Sequence, residues 1–164
     1  MTVTFRSRLA TLGVAALLVG TIAQAGAAQA GWAGPRSSGQ RLYVPVYPSV
    51  RFLEGRLLDL AVTVSIRNTD AARPIRVEAV RYFGNDGMER GDPFAAPGVL
   101  GPMASAEVVI RQSELRGDVG ANLVVEWRST AQVAPPLVEA VMVGISGTQG
   151  FAFASRAVVL DEWR

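Results

Sequence analysis

LLDLAVTVSIR, residues 57–67, alternates: Leu58, Leu60, Val62, Val64 and Ile66 share one side, and Asp59, Thr63, Ser65 and Arg67 the other. A period of two is the pattern of a strand with one buried face and one wet face. Asn68-Thr69-Asp70 ends the run, Pro74 opens IRVEAVRYF (75–83), and Asn85-Asp86-Gly87 turns that strand in its place. The same rhythm runs through the rest of the chain. Leu100-Gly101-Pro102 precedes SAEVVIR (105–111), Gly117 and Gly120 bracket the turn before ANLVVEWR (121–128), and Pro135-Pro136 introduces LVEAVMVGI (137–145). GISGTQG (144–150) then leads into FAFASRAVVL (151–160), its glycines meeting the needs of a turn between two strands. RLYVPVY (41–47) comes before all of these, and Pro45 assigns it to a sheet edge because proline has no amide proton for a ladder.

These runs add up to about seven strands with regularly spaced turns, and no stretch after residue 30 offers a long, capped amphipathic helix. The expected fold class is all-β: an immunoglobulin-like antiparallel β-sandwich, with a small β-barrel as the alternative.

Upstream of the strands, Arg6 and Arg8 precede the apolar run LATLGVAALLVGTIA (9–23), and small residues end in Ala28-Gln29-Ala30. A basic start, a short apolar core and an A-x-A site read as a signal peptide over residues 1–30, cleaved after Ala30 or at Ala25 or Ala27. The run is shorter than the roughly 20 residues of a membrane span. Arg6-Ser7-Arg8 is not a twin arginine and no Cys follows to accept a lipid, so the expectation is an exported protein, periplasmic or secreted, with no stable membrane insertion after cleavage. GWAGPRSSGQ (31–40) reads as a flexible arm with an exposed Trp32, and residues 41–164 as a single β-sandwich domain.

The 164 residues include no His, no Cys and no Lys, so all 16 basic residues are Arg. Serine-histidine triads, thiol nucleophiles, Schiff-base lysines and the usual His/Cys zinc sites are thereby excluded. Carboxylate chemistry, hard-metal binding through oxygen and anion binding by Arg remain open. Without the first 30 residues the chain carries 14 Arg against 14 acidic residues, which removes the basic excess that nucleic-acid binding would use. With no His, no side chain titrates at its unperturbed pKa between about pH 5 and 8, so no pH switch is expected.

Several clusters carry both a chemical and a plain reading. Asn85, Asp86, Glu89 and Asp92 in NDGMERGD gather oxygens for calcium but lack the spacing of a calcium loop, and Asp-Gly between strands is a hairpin turn. GDVGAN (117–122) has the glycines of a phosphate loop without its Lys and helix, so it reads as a turn entering a strand. Glu126 and Glu139 fall on consecutive strands, as an acid and base pair or as solvated, Arg-paired glutamates. Trp127 reads as core, with a stacking platform for sugar as the alternative. Arg67 and Asp70 flank a corner that Asn68 and Asp70 cap, and Arg156, among Ala152, Ala154 and Val158, either pairs with a carboxylate or receives an anionic ligand, with Gln149, Gly147 and Gly150 as its neighbours. Arg67, Asp70, Glu126, Gln149 and Arg156 are therefore the candidate binding residues; no catalytic residue, metal ligand or cofactor is assigned.

YVPVYPSV, SIRNTDAARPI, YFGNDG, VLGPMASAEVVI, GANLVVEW and EAVMVGISGTQGFAFASR, taken in order over about residues 42–159, resemble the exported bacterial domain-of-unknown-function family 3124. The resemblance implies an exported or lipid-anchored single domain with no activity assigned, and this chain departs from the anchored members in having no Cys. The expected function is a noncatalytic binding or protein-interaction module of the bacterial envelope, whose partner is another envelope protein. A small-ligand or metal-ion binding domain is the alternative, and a carboxylate-only hydrolase the third reading.

Overall fold

The structure, a computed structural model, describes residues 32–90, 94–111 and 119–164, and every regular element among them is a strand. In chain order these are β1 (Ser37–Pro45), β2 (Ser49–Phe52), β3 (Arg56–Asp59), β4 (Ala61–Arg67), β5 (Ile75–Phe83), β6 (Gly98–Leu100), β7 (Ser105–Ile110), β8 (Asn122–Val133), β9 (Leu137–Ser146), β10 (Gln149–Arg156) and β11 (Val158–Trp163). A five-stranded sheet runs β11-β1-β8-β5-β6 and a four-stranded sheet β10-β9-β4-β7, with β2 and β3 as a separate hairpin. All pairings are antiparallel and no sheet closes on itself, so the fold is the β-sandwich and not the barrel.

The seven expected strands are all present. The larger number arises because two long runs are broken and short strands are added. Residues 57–67 divide at Leu60, fully buried, whose amide donates to the carbonyl of Pro48. The final run divides at Ala157, whose amide donates to Val138, and there the chain passes from the four-stranded to the five-stranded sheet. Neither break changes the residue type, so the apolar pattern continues across both.

The core is the inner row of each strand. Leu60, Val62, Val64 and Ile66 meet Leu123, Val125 and Trp127 of the opposite sheet, all with no solvent exposure. In β5 the inward phase shifts from Ile75 and Val77 to Val80 and Tyr82, because a bulge between Val77 and Ala79 inserts one residue against β8. Trp127 lies wholly inside, as its position predicts, and its indole N–H donates to Gln40 Oε1 at 3.3 Å. Gln40 in turn donates to Glu162.

Two expectations about β1 are corrected. Ser37–Gln40 are not part of a loose arm: Ser37 is buried, and Ser37 and Ser38 each donate a hydroxyl hydrogen bond to the carbonyl of Trp163. Nor is β1 an edge strand, since it lies between β8 and β11. Pro45 is tolerated because the β11 ladder begins at Tyr43, opposite Val158, which leaves the missing amide of Pro45 without a position to fill. Trp32 is half exposed, as expected, with its indole N–H on the carbonyl of Pro35.

Candidate functional site

The corner after β4 is fully occupied by its own backbone. Asn68 Nδ2 donates to the carbonyls of Arg73, Leu100 and Gly101, while its Oδ1 accepts the amide of Asp70. Asp70, only 5% exposed, accepts the amides of Ala72 and Arg73 on Oδ1, and the amide of Ala134 with the Arg36 guanidinium on Oδ2. The Ala134 amide is the foremost cause that lowers its pKa from 3.8 to about 2, ahead of the Ala72, Arg73 and Arg36 bonds, while burial opposes the shift. Arg67 does not join Asp70. Its Nε donates to Ser65 Oγ and its Nη2 lies 3.7 Å from Glu139 Oε1. With four hydrogen bonds already on the carboxylate, Asp70 holds the corner together and has no lone pair directed at a ligand.

Glu126 and Glu139 do not face each other. They are consecutive in the strand order but belong to different sheets, Glu126 on β8 of the five-stranded sheet and Glu139 on β9 of the four-stranded one. Each points outward, so the core lies between them, and each pairs with an Arg: Glu126 with Arg81 and Glu139 with Arg67. The solvated, Arg-paired reading holds for both. Around Glu126 the outer face of the five-stranded sheet is a ladder of charges, with Asp161 on Arg41 and Glu126 on Arg81. Beyond it Arg128 lies 3.4 Å over the ring of Trp163, and Gly39 between them makes room, because a β-carbon there would sit 2.7 Å from Arg128 Cδ. Next to Arg128 is an open hollow of about 310 Å³ bordered by Arg76, Glu78, Val99 and Thr130.

Gln149 and Arg156 begin and end β10, opposite Ser146 and Glu139 respectively. At about 3.3 Å per residue they are some 23 Å apart, so they are not neighbours. Gly147, in the left-handed region at φ 61°, makes the two-residue turn that joins β9 to β10, and the GISGTQG stretch is a hairpin connection. Asp86 likewise accepts the Met88 amide and pairs with Arg90 across the turn at Gly87, where φ is 75°. The Met88 amide is the main reason its pKa is lowered. Asp92 and Gly117 lie outside the described residues, as does the expected signal peptide. Among the described residues no three acidic side chains are grouped to hold a metal ion.

What the sequence reading missed is a surface. Register places Ala152 beside Val143 and Ala61, and Ala154 beside Val141, Thr63 and Val109, all on the outer face of the β10-β9-β4-β7 sheet. Val109, Val141, Val143 and Ile145 are 49%, 38%, 48% and 69% exposed. One further row crosses the same face, Arg156, Glu139, Ser65 and Glu107, from the β10 edge to the β7 edge. Neither Arg156 nor Glu107 makes a hydrogen bond or ion pair with any described residue. The signal was in LVEAVMVGI: an antiparallel strand with one wet face should alternate, and this run is apolar on both phases from Ala140 to Ile145.

A family model described as Protein of unknown function (DUF3124) matches residues 39–160, from Gly39 in β1 to Leu160 in β11, and so includes both sheets. No curated protein matches the chain. Among solved structures, the crystal structure of Thermotoga maritima 1070 is similar at 11% identity with a TM-score of 0.40, over 76% of this chain and 94% of that one.

Proposed function

Because the chain belongs to the family described as Protein of unknown function (DUF3124), whose description assigns no activity, we propose that it is an exported, noncatalytic protein-interaction module working through the outer face of the β10-β9-β4-β7 sheet. The observation that carries this reading is the contrast between the two outer faces. One is crossed by ion pairs, Arg41 with Asp161 and Arg81 with Glu126, and its exposed Val99 and Val158 stand apart on opposite edge strands; the other leaves Val141, Val143 and Ile145 together on β9, with Val109 on β7, uncovered. Exposed apolar side chains grouped on a rigid sheet and rimmed by charge mark a contact surface more than a solvent surface. Export is supported by Arg6 and Arg8, the apolar run after them and Ala28-Gln29-Ala30. A noncatalytic role is supported by the absence of His, Cys and Lys and by the placing of Glu126 and Glu139 on opposite outer faces.

The test is Val143→Glu in the full chain, cross-linked in its own cells, with the bound proteins, further copies of the chain included, identified by mass spectrometry. Val143 is on the surface, so the melting midpoint should be unchanged while the bound proteins are lost. Equal capture by both forms overturns the reading. So does turnover of a glycan, ester or phosphate substrate that Glu126→Gln or Glu139→Gln abolishes.

A further inference from the structure

We propose that the occupant of this face is a second copy of the chain, packed sheet to sheet about a two-fold axis that runs along the strands between β9 and β4. The proposal rests on the interaction-module reading and adds the partner to it. It comes from the order of the charged row. Arg156 stands at the β10 edge, Glu107 at the β7 edge, and Glu139 and Ser65 occupy the two strands between.

A rotation about an axis parallel to the strands, at the middle of a four-stranded sheet, exchanges the two edges and keeps the height along the strands. Arg156 of one copy is thereby brought over the partner's Glu107, and Glu107 over the partner's Arg156. These are two opposite charges of this face that have no partner among the described residues of their own chain. In the same operation Ala154 meets Val109, Val141 meets Thr63, and Val143 meets Ala61, all positions of the apolar patch. The face is thus complementary to itself in both charge and hydrophobicity, which is what an isologous contact requires.

Other arrangements fail on the same row. Sliding the copies by one outward position along the strands sets Arg156 over the partner's Val109 or Ser105 and leaves both charges unpaired against the other surface. Turning one copy about an axis across the strands sets Arg156 over the partner's β10, again away from the partner's Glu107. Sheets that pack face to face hold their strands within about 30° of each other, which this axis allows. Four strands at about 4.8 Å and four outward positions at about 6.8 Å give a footprint near 500 Å² on each copy, about 1,000 Å² in all, at the lower limit of specific interfaces. A reversible dimer, and not an obligate one, is the expected assembly.

The experiment uses sedimentation equilibrium on the purified full chain, on Arg156→Glu, on Glu107→Arg, and on an equal mixture of the two variants. Both positions are exposed, and unchanged melting midpoints verify that the variants fold. The chain should be a dimer at micromolar concentration. Each variant alone sets like charges against each other twice and should dimerise at least about tenfold more weakly. Their mixture should recover the dimer, since the two reversed charges then face each other across one pair while the second pair keeps its native residues. A chain that stays monomeric to about 100 μM, or a dimer indifferent to both reversals, overturns the second copy as occupant. If in that case Val143→Glu still abolishes capture of a different protein, the face keeps its role and only its occupant is wrong; if capture is also unaffected, both proposals fall.

Discussion

Gly144 of β9 lies against Leu60 so closely that a β-carbon on it would sit 2.3 Å from Leu60 Cδ2. Leu60 is the buried residue at which the long second run breaks into β3 and β4, and it fills the place that a side chain at position 144 would take. Gly144→Ala should therefore destabilise the fold by about 1–3 kcal/mol through overpacking, lowering the melting midpoint by several degrees. Leu60→Ala in the same protein should relieve part of that added cost, and a double-mutant cycle by thermal denaturation measures the coupling.

Asp70→Ala should be more costly than an ordinary surface change. It removes the acceptor of the Ala72, Arg73 and Ala134 amides together, and the Ala134 amide is buried. A loss of about 2–4 kcal/mol is expected in denaturant unfolding. Arg67→Ala, whose side chain is more than half exposed and 3.7 Å from Glu139, should cost less than about 1 kcal/mol.

Acid should unfold the protein through the same carboxylate. The folded-state pKa of Asp70 is lowered from 3.8 to about 2, so the unfolded chain binds its proton first. The stability it contributes is present in full above about pH 4 and is lost as pH falls toward 2. Asp86 and Glu162 are lowered as well, and act in the same direction. Melting curves from pH 8 to 2 should be flat to about pH 5, since there is no His to titrate, and then fall. Asp70→Ala should flatten that fall.

Gln40→Leu keeps the volume inside the sandwich but leaves the buried indole N–H of Trp127 without its acceptor. The expected loss is about 1–3 kcal/mol, with an altered near-ultraviolet signal from the Trp127 ring as the accompanying observation.

Strand alternation made the sandwich legible, because Val62, Val64 and Ile66 on one strand and Leu123, Val125 and Trp127 on another have to be covered by something apolar. The breaks at Leu60 and Ala157 were not legible. Both are backbone events inside continuous apolar runs, decided by the hydrogen bonds to Pro48 and Val138 from distant parts of the chain. Pro45 misled for a related reason: what matters is where the neighbouring strand stops, which is set by β11, more than a hundred residues later. Glu126 and Glu139 looked adjacent because their strands follow each other, and chain order does not tell which sheet a strand enters. The outer face of β9 was the feature written in the sequence and passed over. Val141, Val143 and Ile145 occupy the phase that a half-wet strand reserves for polar residues.

Ser37 and Trp163 lie side by side, held by two hydroxyls on one carbonyl and by the pairing of Gly39 with Trp163. A pull applied to the two flanks of the domain would therefore draw β1 and β11 apart from their shared end. The ladder bonds lie perpendicular to the strands and would be loaded one after another, as in a zipper, instead of all at once as in a shear. A domain joined at this corner to two anchors would give way at low force, peeling β11 first while the remainder of the sandwich stayed folded.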